Sequence, residues 1–104
     1  MPEYVPDKQG DVALKRRQEV KTPRRYRVFL HNDNYTTMDF VVFILEEIYR
    51  KSHDEAVRIM LNVHQNGMGL AGVYVKGIAE TKITQTHKHA RENGFPLKCS
   101  MEPE

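Results

Sequence analysis

Between Tyr26 and Met101 the apolar residues switch repeatedly between strict alternation and helical recurrence, and each switch marks a change of element. "YRVFLHN" alternates Tyr26, Val28 and Leu30 with Arg25, Arg27 and His31, Phe29 being the exception, and reads as a half-buried strand. Met38, Val41, Val42, Leu45, Ile48 and Tyr49 then recur at helical spacing, with Phe40 and Ile44 widening the arc. A helix from about Thr37 to Arg50 is expected, capped by Thr36 or Thr37, with Asp39 near its positive end. Phe43 falls among Asp39, Glu46 and Glu47 as a lone exposed ring. Ser52 and Glu55 stand at capping-box spacing before a second helix, whose face carries Ala56, Ile59, Met60, Val63 and His64 and which Gly67 closes. "LAGVYVKGI" reads as a strand and "AETKITQTHKHAREN" as a third helix. A last strand alternates Leu97, Cys99 and Met101 with Lys98, Ser100 and Glu102. The order strand, helix, helix, strand, helix, strand fits an α+β fold, a small three-stranded antiparallel sheet covered by three helices.

At 104 residues the chain supports one small domain. It divides near Thr22-Pro23. Residues 1–25 hold two early prolines, few large apolar residues and mixed charge, and are expected to be a disordered extension, with a short helix over 12–20 forming at most on a partner. Residues 26–104 form the folded unit. The extension carries seven Lys/Arg against four Asp/Glu, the remainder nine against ten. A near-neutral body with a basic tail argues against a nucleic-acid groove built into the fold. No apolar run approaches the roughly 18 residues of a membrane span, and the N-terminus lacks a signal peptide's apolar core. With one cysteine there is no internal disulfide and no cysteine-based zinc site. A cytoplasmic monomer that binds neither membrane nor nucleic acid is the expectation.

Catalytic chemistry finds little support. His87 and His89, two apart on a helix, point about 200° from each other and cannot share a metal. Cys99 alternates into the core with no activating neighbour, and no nucleophile elbow or paired acid is present. Neither enzyme activity nor a cofactor or metal is expected. The feature left over is the polar cluster Asn32, Asp33 and Asn34 between strand and helix, which on its own reads as a turn. His64 reads equally as a histidine satisfied at a helix C-terminus, and Met38 and Met60 as core packing.

In order and register, "NDNYTTMDFV", "IMLNVHQNG", "GVYVKGIAETK" and "ARENGFPLKCSME" resemble the ClpS family of adaptor proteins for the Clp protease, over residues 26–102. The resemblance implies a fold similar to the C-terminal domain of the ribosomal stalk protein. It implies a module that captures proteins beginning with Leu, Phe, Tyr or Trp, the N-degrons, and hands them to a AAA+ Clp unfoldase. It implies roles too: Asn32, Asn34 and His64 accept from the α-amino group, Asp33 sets a negative local field and accepts from the substrate's backbone or the loop amides, and Thr36 lies near the loop's floor. Met38, Val41, Met60, Val63 and Leu97 line an apolar pocket, with Met38 as gatekeeper against β-branched residues. An α-amino group, pKa ~7.7–8.0, is mostly an ammonium at neutral pH and needs several converging acceptors. His64 must be neutral to accept, so capture is expected to weaken in acid.

The family's loop usually reads Asn-Asp-Asp, whereas Asn34 fills the third place here, which removes charge assistance from one ammonium contact. Glu80, Thr81 and Lys82 are implied as the unfoldase interface, with Gly77 where a larger polar residue is usual, and residues 1–25 as the extension engaged during transfer. Two other functions fit the sequence: a paralog with a narrowed menu of first residues, or a scaffolding module unconnected with N-degrons.

Overall fold

The structure is a computed structural model and describes residues 23–104; the expected extension and its short helix lie outside the described residues except for residues 23–25. Strand β1 (Arg25–His31) is followed by helices α1 (Met38–Glu47) and α2 (His53–Asn66), strand β2 (Met68–Val75), helix α3 (Lys76–Glu92) and strand β3 (Lys98–Pro103). The sheet order is β2-β1-β3 with both pairings antiparallel. The expected α+β architecture and element order are what the chain adopts.

Each boundary has a local cause. Thr37 caps α1 by accepting from the Phe40 N–H, and Ser52 caps α2 by accepting from the Glu55 N–H. Gly67, at φ 89°, ends α2 in the left-handed conformation that costs glycine least. Helix α1 stops at Glu47, three residues short of the expected end, because Arg50 turns left-handed at φ 57° and the Lys51 N–H closes onto the Leu45 carbonyl at 3.0 Å. Lys82 of α3 adds a further cap, donating to the Ile48 carbonyl at 2.6 Å with its ammonium 5.2 Å from the Tyr74 ring centroid. Helix α3 begins at Lys76, so Lys76, Gly77 and Ile78 are helical and not the end of a strand. Its N-cap, Val75, makes no side-chain hydrogen bond. Arg25 belongs to β1 and not to the extension, and Leu97 precedes β3.

One face of the sheet carries the core. Val28 and Leu30 of β1 are fully buried, together with Ile44 and Leu45 of α1, Ala56 of α2 and Ala79 of α3. A bulge breaks the alternation of β2: Val28 pairs with Gly72, Phe29 with Leu70, and Ala71 is the extra residue. The inward side of β2 is thereby Gly69, Gly72 and Tyr74, opposite Leu30, Val28 and Tyr26, with the extra residue Ala71 fully buried in the core beside them. Gly69 lets α2 approach the sheet, since a Cβ there would lie 2.8 Å from a Val63 methyl. Below α3 sits a buried polar chain. The Thr86 hydroxyl donates to the Lys82 carbonyl at 2.8 Å, so the Tyr49 hydroxyl, 2.8 Å away, donates to Thr86. Burial pushes the Tyr49 and Cys99 groups above their ordinary pKa values, which keeps both neutral.

Candidate functional site

The loop between β1 and α1 is tied to the end of α2. The Asn32 N–H donates to the Gly67 carbonyl at 2.8 Å, and the Gly67 N–H donates to Val63 at 3.0 Å. One glycine therefore closes the helix that carries His64 and anchors the loop that carries the asparagines. Asp33 builds the turn from within: its Oδ1 accepts from the Tyr35 and Thr36 N–H groups, and its Oδ2 from the Thr36 hydroxyl, all at 2.7 Å. Partial burial works against the Asp33 charge, but these donors outweigh it and hold the carboxyl below its ordinary pKa. The charge of Asp33 is thus committed to its own turn. Asn32, Asn34 and His64 are exposed, and their side chains make no hydrogen bond among the described residues.

These groups border one cavity of about 410 Å³. Its polar rim is Asn32, Asp33, Asn34 and His64, and its apolar wall is Met38 and Val41 from α1 with Met60 and Val63 from α2. Each apolar pair is three residues apart and so shares a helix face, and His64 continues the α2 face one turn beyond Met60. Val41 and Val63 are buried, Met60 is half-buried, and Met38 stands 43% exposed at the mouth. Thr36, Tyr35 and Thr37 complete the border. Tyr35 and Thr37 have no place in the sequence reading of the site. The signal available for Tyr35 was a large ring inside a turn of small polar residues.

Three expected residues differ in place or setting from their sequence reading. Leu97 is buried but borders a second depression, with His87, Arg91 and Phe95, and is not among the residues lining the main cavity. His64 is exposed where its helix face suggested an apolar setting, because the face opens into the cavity at the helix end. Lys82 is half-buried in its capping role, whereas Glu80 and Thr81 beside it are exposed, and the Thr81 hydroxyl donates back to the Gly77 carbonyl at 3.0 Å. His87 accepts from the Cys99 N–H at 3.0 Å, and His89 meets the exposed Phe43 edge-on at 6.3 Å. Among the described residues no three His, Cys, Asp or Glu are grouped to hold a metal ion, and no helix is long and apolar enough to cross a membrane.

An apolar pocket with unengaged hydrogen-bond acceptors on one rim suits a small group that is part ammonium, part hydrocarbon. Comparison with known proteins identifies the family. A family model described as "ATP-dependent Clp protease adaptor protein ClpS" matches residues 21–100. The ATP-dependent Clp protease adapter protein ClpS of Desulfatibacillum aliphaticivorans is 57% identical over 95 residues, which cover 91% of either chain. Its counterpart in Oleidesulfovibrio alaskensis is 56% identical over 93 residues, 89% of this chain and 88% of that one. Among solved structures, Agrobacterium tumefaciens ClpS2 bound to L-phenylalaninamide superposes with a TM-score of 0.77 at 38% identity, covering 80% of this chain and all of that one. The chain belongs to the ClpS family of adaptor proteins of the ATP-dependent Clp protease.

Proposed function

We propose that the cavity captures the first residue of N-degron proteins, those beginning with a free α-amino group on Leu, Phe, Tyr or Trp, and that the adaptor delivers them to a AAA+ Clp unfoldase. The observation that carries this is the juxtaposition of Asn32, Asn34 and His64, all without hydrogen-bond partners among the described residues, with the apolar wall of Met38, Val41, Met60 and Val63. An ammonium donates three hydrogens in tetrahedral directions; the two amide oxygens and a neutral imidazole nitrogen, held on two elements joined through Gly67, can accept them. Burial of a Leu or Phe side chain contributes about 1.5–3 kcal/mol. Met38, at the mouth, is the gatekeeper: its flexible thioether admits leucine and aromatic side chains and crowds a β-branched one. L-phenylalaninamide, bound by the Agrobacterium relative, has a free α-amino group, a benzyl side chain and no carboxylate, as the first residue of a peptide does. Delivery would run through the exposed Glu80 and Thr81 at the start of α3, with Lys82 beside them.

Fluorescence anisotropy with peptides beginning Leu, Phe, Tyr, Trp, Ile or Ala, each also N-acetylated, tests the reading. The bulky set is expected to bind at micromolar or tighter affinity and to lose more than tenfold on acetylation, since unpaired buried acceptors cost about 1–3 kcal/mol each. Binding indifferent to acetylation would overturn it. Asn34 favours one refinement, a narrower menu, which would show as loss of one or more of the four bulky residues.

A further inference from the structure

We infer that Tyr35 forms a subsite for the second residue of the captured chain and favours a flat or extended apolar side chain there. The inference rests on the proposed capture of a chain end. A first residue seated in the cavity has three directions to satisfy at its Cα. The amine faces Asn32, Asn34 and His64, and the side chain enters the wall of Met38 and Val63. The carbonyl and all that follows must leave over the remaining border, the turn Tyr35–Thr37.

The two threonine hydroxyls of that turn already have partners within the protein. The Thr36 hydroxyl donates to Asp33, and the Thr37 hydroxyl accepts from the Phe40 N–H at 3.1 Å. The apolar surface that this part of the border offers is the Tyr35 side chain, 76% exposed, the most exposed large apolar group among the described residues. Such a ring on a surface is unremarkable by itself. Here its backbone is pinned, with the N–H 2.7 Å from the Asp33 carboxylate inside a turn that carries two further bonds to the same group. A tyrosine presented from a rigid turn supplies contact area at small entropic cost, having only two side-chain torsions to fix.

The test compares four free-amine peptides, Leu-Phe, Leu-Leu, Leu-Gly and Leu-Ser, otherwise identical, with the full chain and with Tyr35→Ala and Tyr35→Phe. The natural chain is expected to bind Leu-Phe about three- to tenfold more tightly than Leu-Gly, the range of an aromatic contact. Tyr35→Ala should bring that ratio within about twofold, and Tyr35→Phe should keep it. A ratio near one in the natural chain, or one that survives Tyr35→Ala, overturns the subsite while leaving capture of the first residue intact. No binding of any of the four peptides overturns the capture reading and this one together.

Discussion

At the residue scale the loop separates two tasks that its composition blurs. Asp33, the one carboxylate of "NDN", spends its oxygens on the Tyr35 and Thr36 donors, so its role is to hold the turn. The side chains of the flanking asparagines make no such bond among the described residues, and neither brings a charge. Had the third position been an aspartate, one ammonium contact would be charge-assisted, a bond about twice as strong as a neutral one. Asn34→Asp is therefore expected to tighten binding of a Leu- or Phe-initiated peptide by about fivefold, roughly 1 kcal/mol. Equal dissociation constants for the two proteins, by titration calorimetry, would show that Asn34 does not touch the amine.

At the element scale, most of the fold was legible because its helices and strands obey their periods and carry recognisable ends. Ser52, Thr37 and Gly67 each announce a boundary, and each is used as a boundary. The ends that escaped have no such mark. Arg50 adopts a conformation usually left to glycine, and α3 starts behind Val75, whose side chain can cap nothing. The bulge at Ala71 shifts which β2 residues face inward, and alternation cannot reveal an added residue. At the site, the polar cluster read locally as a turn and the two helix faces as core packing; only the family resemblance joined them into a pocket. The displacement of Leu97 and the position of Tyr35 depend on how separate elements meet.

Helix α3 also covers the outer edge of β3, through the bond from the Cys99 N–H to His87 Nε2, and that contact is sensitive to acid. Burial first, then the charges of Arg91 and Lys98, lower the His87 pKa from its ordinary 6.5. The folded chain thus binds this proton more weakly than the unfolded chain. The stability involved is present above pH 6.5 and is lost as pH falls through the lower folded value. His87→Gln, which keeps an acceptor without a titrating ring, should lose less of its Tm between neutral pH and pH 5 than the natural chain. Parallel Tm profiles for the two proteins would remove His87 from the acid response.

At the scale of the whole molecule, the folded unit closes on itself where its two ends meet. The Arg25 guanidinium holds both Glu104 carboxylate oxygens at 2.8 Å, and the Glu104 N–H returns to the Arg25 carbonyl at 2.9 Å. The closure lies at the far end of β1 from the loop that borders the cavity. Where that segment is removed matters. Cutting after residue 25 would take the Arg25 clasp with it, whereas cutting after residue 22 leaves the sheet whole. Under the proposed division, in which the cavity captures the chain end while the unfoldase docks on Glu80 and Thr81 and engages the extension during transfer, a chain lacking residues 1–22 should bind a Leu-initiated peptide within about twofold of the full chain, a change too small to count as a lost contact. The same truncation should fail to stimulate degradation of a Leu-initiated protein by a AAA+ Clp unfoldase and its peptidase. A truncated chain that still delivers would confine the whole function to residues 23–104 and leave the Glu80-Thr81 surface as the route to the unfoldase. One that no longer binds peptide would bring the extension into the site itself.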